Sequence, residues 1–270
     1  MATAAAPHLF NVSGKNVLVT GGSRGIGLMI AKGFSEYGAN VLISSRSAAA
    51  CEEAAKEINC NFFPCNVSTR NGCVNLVNHM RDVFDGRLDV LVNNAGTSWG
   101  EPLERDSRTG WGWDKVLDLN VKGMFYLTRE CIPLLSRSGD EAVDPGRVIN
   151  IGSVTGFIPQ EAPTHAYDVS KAAVHHLTRK LSADLAPKNI TVNAVAPGFV
   201  HTRMSSGLET WGGSMDKVAN AIPLGRLGGE DDMVGPCIYL SSKAGSWVTG
   251  VILNVDGGTV GASQIPLSSL

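Results

Sequence analysis

The sequence predicts one α/β domain, a doubly wound, seven-stranded parallel sheet with helices on both faces. Three observations carry that reading. Short apolar runs alternate with helical patterns throughout, which implies parallel strands joined by right-handed crossovers. Several runs are apolar at consecutive positions, as expected of strands buried on both faces. No proline-rich or serine-rich linker and no internal repeat divides the 270 residues, a length able to bury a large core.

The elements follow in order. Asn16–Thr20 (NVLVT) reads as the first strand, and a glycine cluster separates it from a helix near 25–37. Asn40–Ser45 (NVLISS) is the second strand, followed by a helix near 48–58, then a strand over Asn61–Cys65 and a helix near 70–84. Leu88–Val92 (LDVLV) leads to a long helix over 113–136, and Val148–Ile151 (VINI) to another over 165–186. Ile190–Val195 (ITVNAV), a helix over 230–241 and Val251–Val255 complete the pattern. The stretch 199–229 shows no clear strand and carries Gly207, Gly212, Gly213, Gly225, Gly228 and Gly229. It is read as a flap of a single domain whose core spans 13–258, able to order over a ligand as lids do.

Composition narrows the function classes. Basic and acidic residues nearly cancel, 23 against 25, which disfavours nucleic acid or an anionic membrane surface as partner. No apolar run reaches the roughly 18 residues of a membrane span, and Met1–Gly14 lacks the basic start of a secretory signal. Of the six cysteines, only Cys60 and Cys65 approach the spacing of zinc ligands. They are read as structural thiols in a reducing, cytoplasmic setting, with no metal expected. The ending Ser268-Ser269-Leu270 resembles a peroxisomal address but lacks its central basic residue.

Thr20-Gly21-Gly22-Ser23-Arg24-Gly25-Ile26-Gly27 lies between a strand and a helix. Glycines there allow a tight turn and let the backbone approach a pyrophosphate, which sits on the positive helix start. The same residues fit a hydrolase nucleophile elbow, but that elbow needs an oxyanion loop from an earlier strand, and only twenty residues precede it. At the end of the second strand, an NAD enzyme would place an acid for the ribose 2′-hydroxyl. This chain has Ser45 and Arg46, with Arg24 in the turn, a set suited to the 2′-phosphate of NADPH.

Further along lie Asn93-Asn94-Ala95-Gly96 at the end of the fourth strand, Asn120 inside the next helix, and Ser153 closing the fifth strand. Tyr167 and Lys171 follow, four apart on one helix face. An ammonium beside a phenol would lower its pKa from about 10, making it a proton donor and acceptor near neutrality. Pro197-Gly198 ends the sixth strand. These positions converge on the carboxyl edge of the sheet, where such folds bind ligands.

In combination these motifs resemble the short-chain dehydrogenase/reductase family over about Ser13 to Gly258. The segments 93–100 and 148–153 are similar to its β-ketoacyl reductase type from bacterial rhamnolipid synthesis. The resemblance implies a Rossmann fold, a cofactor cradle at Thr20–Gly27, and a tetrad of Asn120, Ser153, Tyr167 and Lys171. Tyr167 would protonate the alkoxide, Ser153 would stabilise the oxyanion, and Lys171 would also bond the nicotinamide ribose. Asn120 would anchor a water that re-supplies the proton. Cofactor contacts are then expected from Gly21, Ser23, Arg24, Gly25, Ile26, Gly27, Ser45, Arg46, Val67, Asn93, Ala95, Gly96, Tyr167, Lys171, Pro197, Gly198, Val200 and Thr202. Where many members have Asp-Val this chain has Asn66-Val67, and the Asn66 side-chain oxygen is expected to accept from the adenine amino group. His175 and His176 are assigned structural or surface roles. The family commonly forms tetramers, and the helices 113–136 and 165–186 carry surplus apolar residues such as Val121, Phe125 and Leu127.

Trp99, Trp111, Trp113, Trp211, Phe157, Met204 and Met215 fall near the carboxyl edge, and Trp99, Phe157, Met204 and Trp211 are expected to line the substrate pocket. Such walls favour a bulky apolar carbonyl compound. The expected activity is reduction of a ketone to a secondary alcohol. The alternatives are a 3-oxoacyl thioester reductase, a non-catalytic dinucleotide sensor and a scaffold.

Overall fold

The alternation of strand and helix builds the expected sheet. The computed structural model describes residues 9–104, 112–139, 143–202 and 214–262. Its strands are β1 Asn16–Thr20, β2 Asn40–Ser44, β3 Asn61–Phe62, β4 Val90–Asn93, β5 Gly146–Ile151, β6 Ile190–Pro197 and β7 Ile252–Val255. The helices are α1 Gly25–Glu36, α2 Ala48–Ile58, α3 Arg70–Val83, α4 Gly112–Leu117, α5 Met124–Leu135, α6 His165–Leu185, α7 Met215–Ala221 and α8 Glu230–Ser241. The strands lie in the order β3-β2-β1-β4-β5-β6-β7, every neighbouring pair parallel. The chain runs outward from β1 to β3, then returns to β4 on the other side of β1. That reversal opens a crevice at the carboxyl ends of β1 and β4.

Strand alternation divides the core into two layers. Val17 and Val19 of β1 join Val41, Ile43, Val90 and Val92 under α1 and α8. Leu18, Leu42, Leu91, Val148 and Val192 face the other way, onto α3, α5 and α6. Both layers are fully apolar at their centres, which is why the strands read as continuous apolar runs.

Three expectations need correction. β3 spans two residues rather than five. Even so, Phe63 and Cys65 still donate backbone bonds to Ile43 and Ser45. The expected helix 113–136 is interrupted by a π-helical turn over Asp118–Gly123, centred near Asn120. Such turns are rare and concentrate at functional sites. The stretch 199–229 holds a helix, α7, and a parallel bridge between Val200 and Gly228; its residues 203–213 lie outside the described residues.

Candidate active site

The glycine-rich turn takes its shape from φ angles of +66° at Gly21 and +55° at Gly25, which side chains with a Cβ rarely tolerate. Its walls are tied to β4. The Thr20 hydroxyl donates to the Val92 carbonyl and accepts from the backbone N–H groups of Asn94 and Ala95, each 3.0 Å away. The Asn94 amide donates back to the Thr20 carbonyl at 2.9 Å. α1 starts at Gly25 with no side-chain cap and no acidic residue in its first turn. Its unpaired N–H groups and positive end therefore remain available to an anion.

Beside the turn, Ser23 donates to the Ser45 hydroxyl at 2.9 Å, and Ser45 in turn contacts the Cys51 thiol at 3.0 Å. Arg24 and Arg46 flank this chain of hydroxyls and are exposed. From here a cleft of about 510 Å³ runs along the carboxyl edge. Every expected cofactor residue except Asn93 lines it, as do Ser153, Tyr167 and Lys171.

Asn93 is a correction. Its side chain is buried and donates to Thr128 and to Asn150, both at 2.9 Å, while Asn150 donates to Thr178. The asparagine therefore stitches β4, β5, α5 and α6 together beneath the cleft, and Asn94 takes its place in the lining. Asn66 does line the cleft, but its side-chain oxygen already accepts from the Ser68 backbone N–H at 3.2 Å and hydroxyl at 2.9 Å.

The catalytic candidates meet at the ends of β5 and α6. The Lys171 ammonium is buried, donates to the Ile151 carbonyl at 2.7 Å and lies 5.5 Å from the centre of the Tyr167 ring. Burial brings its pKa down to about 8. The phenol behaves opposite to expectation. Burial pushes its pKa up, the Ser153 hydrogen bond draws it back only in part, and the Asp168 charge adds to the rise. Lys171 stands over the ring face and gives one hydrogen to the Ile151 carbonyl.

Asn120 is buried and does not line the cleft. Its side-chain oxygen accepts from Thr97 N–H at 2.9 Å, and its amide donates to the Thr97 carbonyl and the Ser170 hydroxyl, both at 3.0 Å. Ser170 donates in turn to the Tyr167 carbonyl. The π-turn thus clamps the loop after β4 onto the helix carrying the tyrosine.

The expected pocket walls fare less well. Trp99 does not line the cleft; its ring abuts Gly112 at the start of α4, with the Lys115 ammonium 5.9 Å from its centre. Phe157 is also outside the lining, packed 4.4 Å from the His175 ring. Met204, Trp211 and Trp111 lie outside the described residues. The described lining holds the polar Ser98, Thr155, Gln160 and Thr164 together with the apolar Leu119, Ile151, Val154 and Phe199.

Two further residues bear on the site. His175 is buried behind the turn that bears Ser153, and burial with the nearby Lys171 charge lowers its pKa to about 4. A Cβ on Gly152 would stand 2.4 Å from its ring, so the serine turn and the imidazole fit only because that position is glycine. Thr155 places both its N–H and its hydroxyl against Ser153. Helical spacing could have put His175 on the face of Lys171; nothing in the sequence pointed to Thr155.

The donor set fits a dinucleotide phosphate. An uncapped helix start suits a pyrophosphate, and two guanidiniums with two hydroxyls suit a 2′-phosphate. Two of the three Lys171 ammonium hydrogens remain for a ribose.

Comparison with known proteins agrees with this geometry. A family described as enoyl-(acyl carrier protein) reductase matches residues 21–260. The rhamnolipids biosynthesis 3-oxoacyl-[acyl-carrier-protein] reductase of Pseudomonas aeruginosa is 42% identical over 253 residues, spanning 92% of this chain and 97% of that protein. Gluconate 5-dehydrogenase of Gluconobacter oxydans is 34% identical, spanning 93% and 97%. The solved Pseudomonas aeruginosa RhlG/NADP active-site complex superposes with a TM-score of 0.86 at 40% identity, covering 93% of this chain and 98% of that one.

Proposed function

Because the chain belongs to the short-chain dehydrogenase/reductase family, we propose that it is an NADPH-dependent oxidoreductase that reduces a ketone to a secondary alcohol. One observation carries the reading: Ser153, Tyr167 and Lys171 open into the same cleft as the uncapped start of α1 and the Ser23–Ser45 hydroxyls. NADPH bound there would supply the hydride. Ser153 donates a hydrogen bond to the substrate oxygen as negative charge grows on it. Tyr167 delivers the proton to that oxygen, and its raised pKa keeps the phenol protonated at neutral pH. Lys171 would bond the nicotinamide ribose while donating to the Ile151 carbonyl, and Asn120 would keep the π-turn in place beside a water that relays the proton to Lys171. Retention of both Tyr167 and Lys171 argues against a non-catalytic sensor.

A second reading is favoured by the most similar of the named relatives, whose substrate is a 3-oxoacyl carrier thioester. The two readings part in one assay, the decay of NADPH absorbance with aryl ketones, β-keto esters and β-ketoacyl thioesters. Turnover of at least one class is expected. Thioester turnover a hundredfold above every free ketone selects the second reading, and no turnover of any class removes both.

We place the protein in the cytoplasm; no described helix is long and apolar enough to cross a membrane. A homotetramer is proposed on the surfaces of α5 and α6. Leu127 belongs to the core, but Phe125 and Tyr126 are only partly buried and Val169 is exposed. Light scattering at micromolar concentration should give four chains; a monomer would refute the assembly.

A further inference from the structure

The catalytic pair contains two hydroxyls, and either could donate to the other. If the Tyr167 phenol donated to Ser153, its proton would point away from the substrate and Ser153 would be left to donate elsewhere. Chemistry needs the phenol proton free for the cleft and the single serine hydrogen free for the substrate oxygen. A hydroxyl has one hydrogen to give and two lone pairs with which to accept, so filling the lone pairs of Ser153 decides the direction.

Both are filled by one residue. The Thr155 backbone N–H reaches the Ser153 Oγ at 3.2 Å, and the Thr155 hydroxyl donates to the same atom at 3.1 Å. Ser153 is buried at the start of the short 3-10 turn Val154–Gly156, and its side chain caps that turn. The turn is seated from behind by the buried His175 ring, against Gly152 and Gly156. Thr155 itself lines the cleft. With two donors directed at its oxygen, Ser153 has only its own hydrogen left to offer.

We propose that Thr155 is a positioning residue that makes Ser153 an obligate hydrogen-bond donor and so leaves the Tyr167 proton to the substrate. The role rests on the proposed assignment of Ser153 and Tyr167. Accepting two bonds also polarises the serine O–H, which strengthens it as a donor to developing negative charge.

The test compares Thr155→Val, Thr155→Ser, Thr155→Ala and Ser153→Ala, using NADPH and the best ketone or thioester of the panel. Valine keeps the shape of threonine but removes the hydroxyl donor, leaving one lone pair of Ser153 open to the phenol. Thr155→Val should lose about tenfold in kcat, a fraction of the ~10²–10³ that follows loss of a direct oxyanion donor. Its KM and its NADPH binding, followed by fluorescence, should stay within about twofold. In the reverse reaction, alcohol with NADP+, the pH at half-maximal rate should move upward, because a serine that accepts from the phenol favours its protonated form. Thr155→Ala should behave as valine does, and Thr155→Ser should restore the rate and the pH profile. Unchanged kcat and pH profile in both the valine and alanine variants, alongside a collapsed Ser153→Ala, would overturn this role and leave the catalytic assignment standing. Full activity in Ser153→Ala would instead overturn the assignment itself, and this role with it.

Discussion

Tyr167→Phe should lower kcat/KM by at least about a hundredfold, the usual cost of losing a general acid. The substitution removes one oxygen and leaves the ring that Lys171 packs against at 5.5 Å. NADPH affinity should therefore hold, and the loss should fall on kcat. The pH dependence of the unaltered enzyme follows from the same residue. Burial holds the phenol above its ordinary pKa, so the protonated form needed for reduction persists through neutrality and is lost only as the pH climbs into the alkaline range. Reduction should thus be level near pH 7 and decline on the alkaline side. If the phenylalanine variant keeps more than about a tenth of the activity, the proton comes from another group.

Exchanging Ser45 for aspartate should reverse or erase a preference for NADPH over NADH. In the unaltered protein that preference is expected to be at least about tenfold in kcat/KM, roughly 1.4 kcal/mol. Ser45 sits between the Ser23 hydroxyl at 2.9 Å and the Cys51 thiol at 3.0 Å, with the exposed guanidiniums of Arg24 and Arg46 on either side. A carboxylate there would repel a 2′-phosphate and accept from a free 2′-hydroxyl, so the two cofactors move in opposite directions. Rates measured with both cofactors on both proteins decide the matter. Equal efficiency with NADH and NADPH before any substitution would remove the 2′-phosphate assignment.

Much of this molecule was legible in its residues. Buried parallel strands leave an apolar signature at consecutive positions, so β1, β2 and β6 could be read almost to their ends. The glycine-rich turn and the four-residue spacing of Tyr167 and Lys171 are local patterns, and local geometry realises them whatever the remainder of the chain does.

Other features were decided only by the tertiary structure. Asn93 and Asn94 are adjacent, yet one turns into the core to meet Asn150 and Thr178 while the other faces the cleft. Strand alternation puts them on opposite sides, but only the packed helices determine which side is solvent. Asn66 and Asn120 hold partners that the sequence did not reveal, Ser68 in one case and Thr97 and Ser170 in the other. The phenol pKa rose where proximity of a lysine alone would have lowered it, because burial of the phenol outweighs spacing along a helix. The sequence by itself determined the sheet, the order of its elements and the edge where the chemistry gathers, since these depend on periodicity and backbone conformation. The tertiary structure alone decided which polar atoms remain free at that edge, because a hydrogen bond is used up by whichever partner folding brings within about 3 Å.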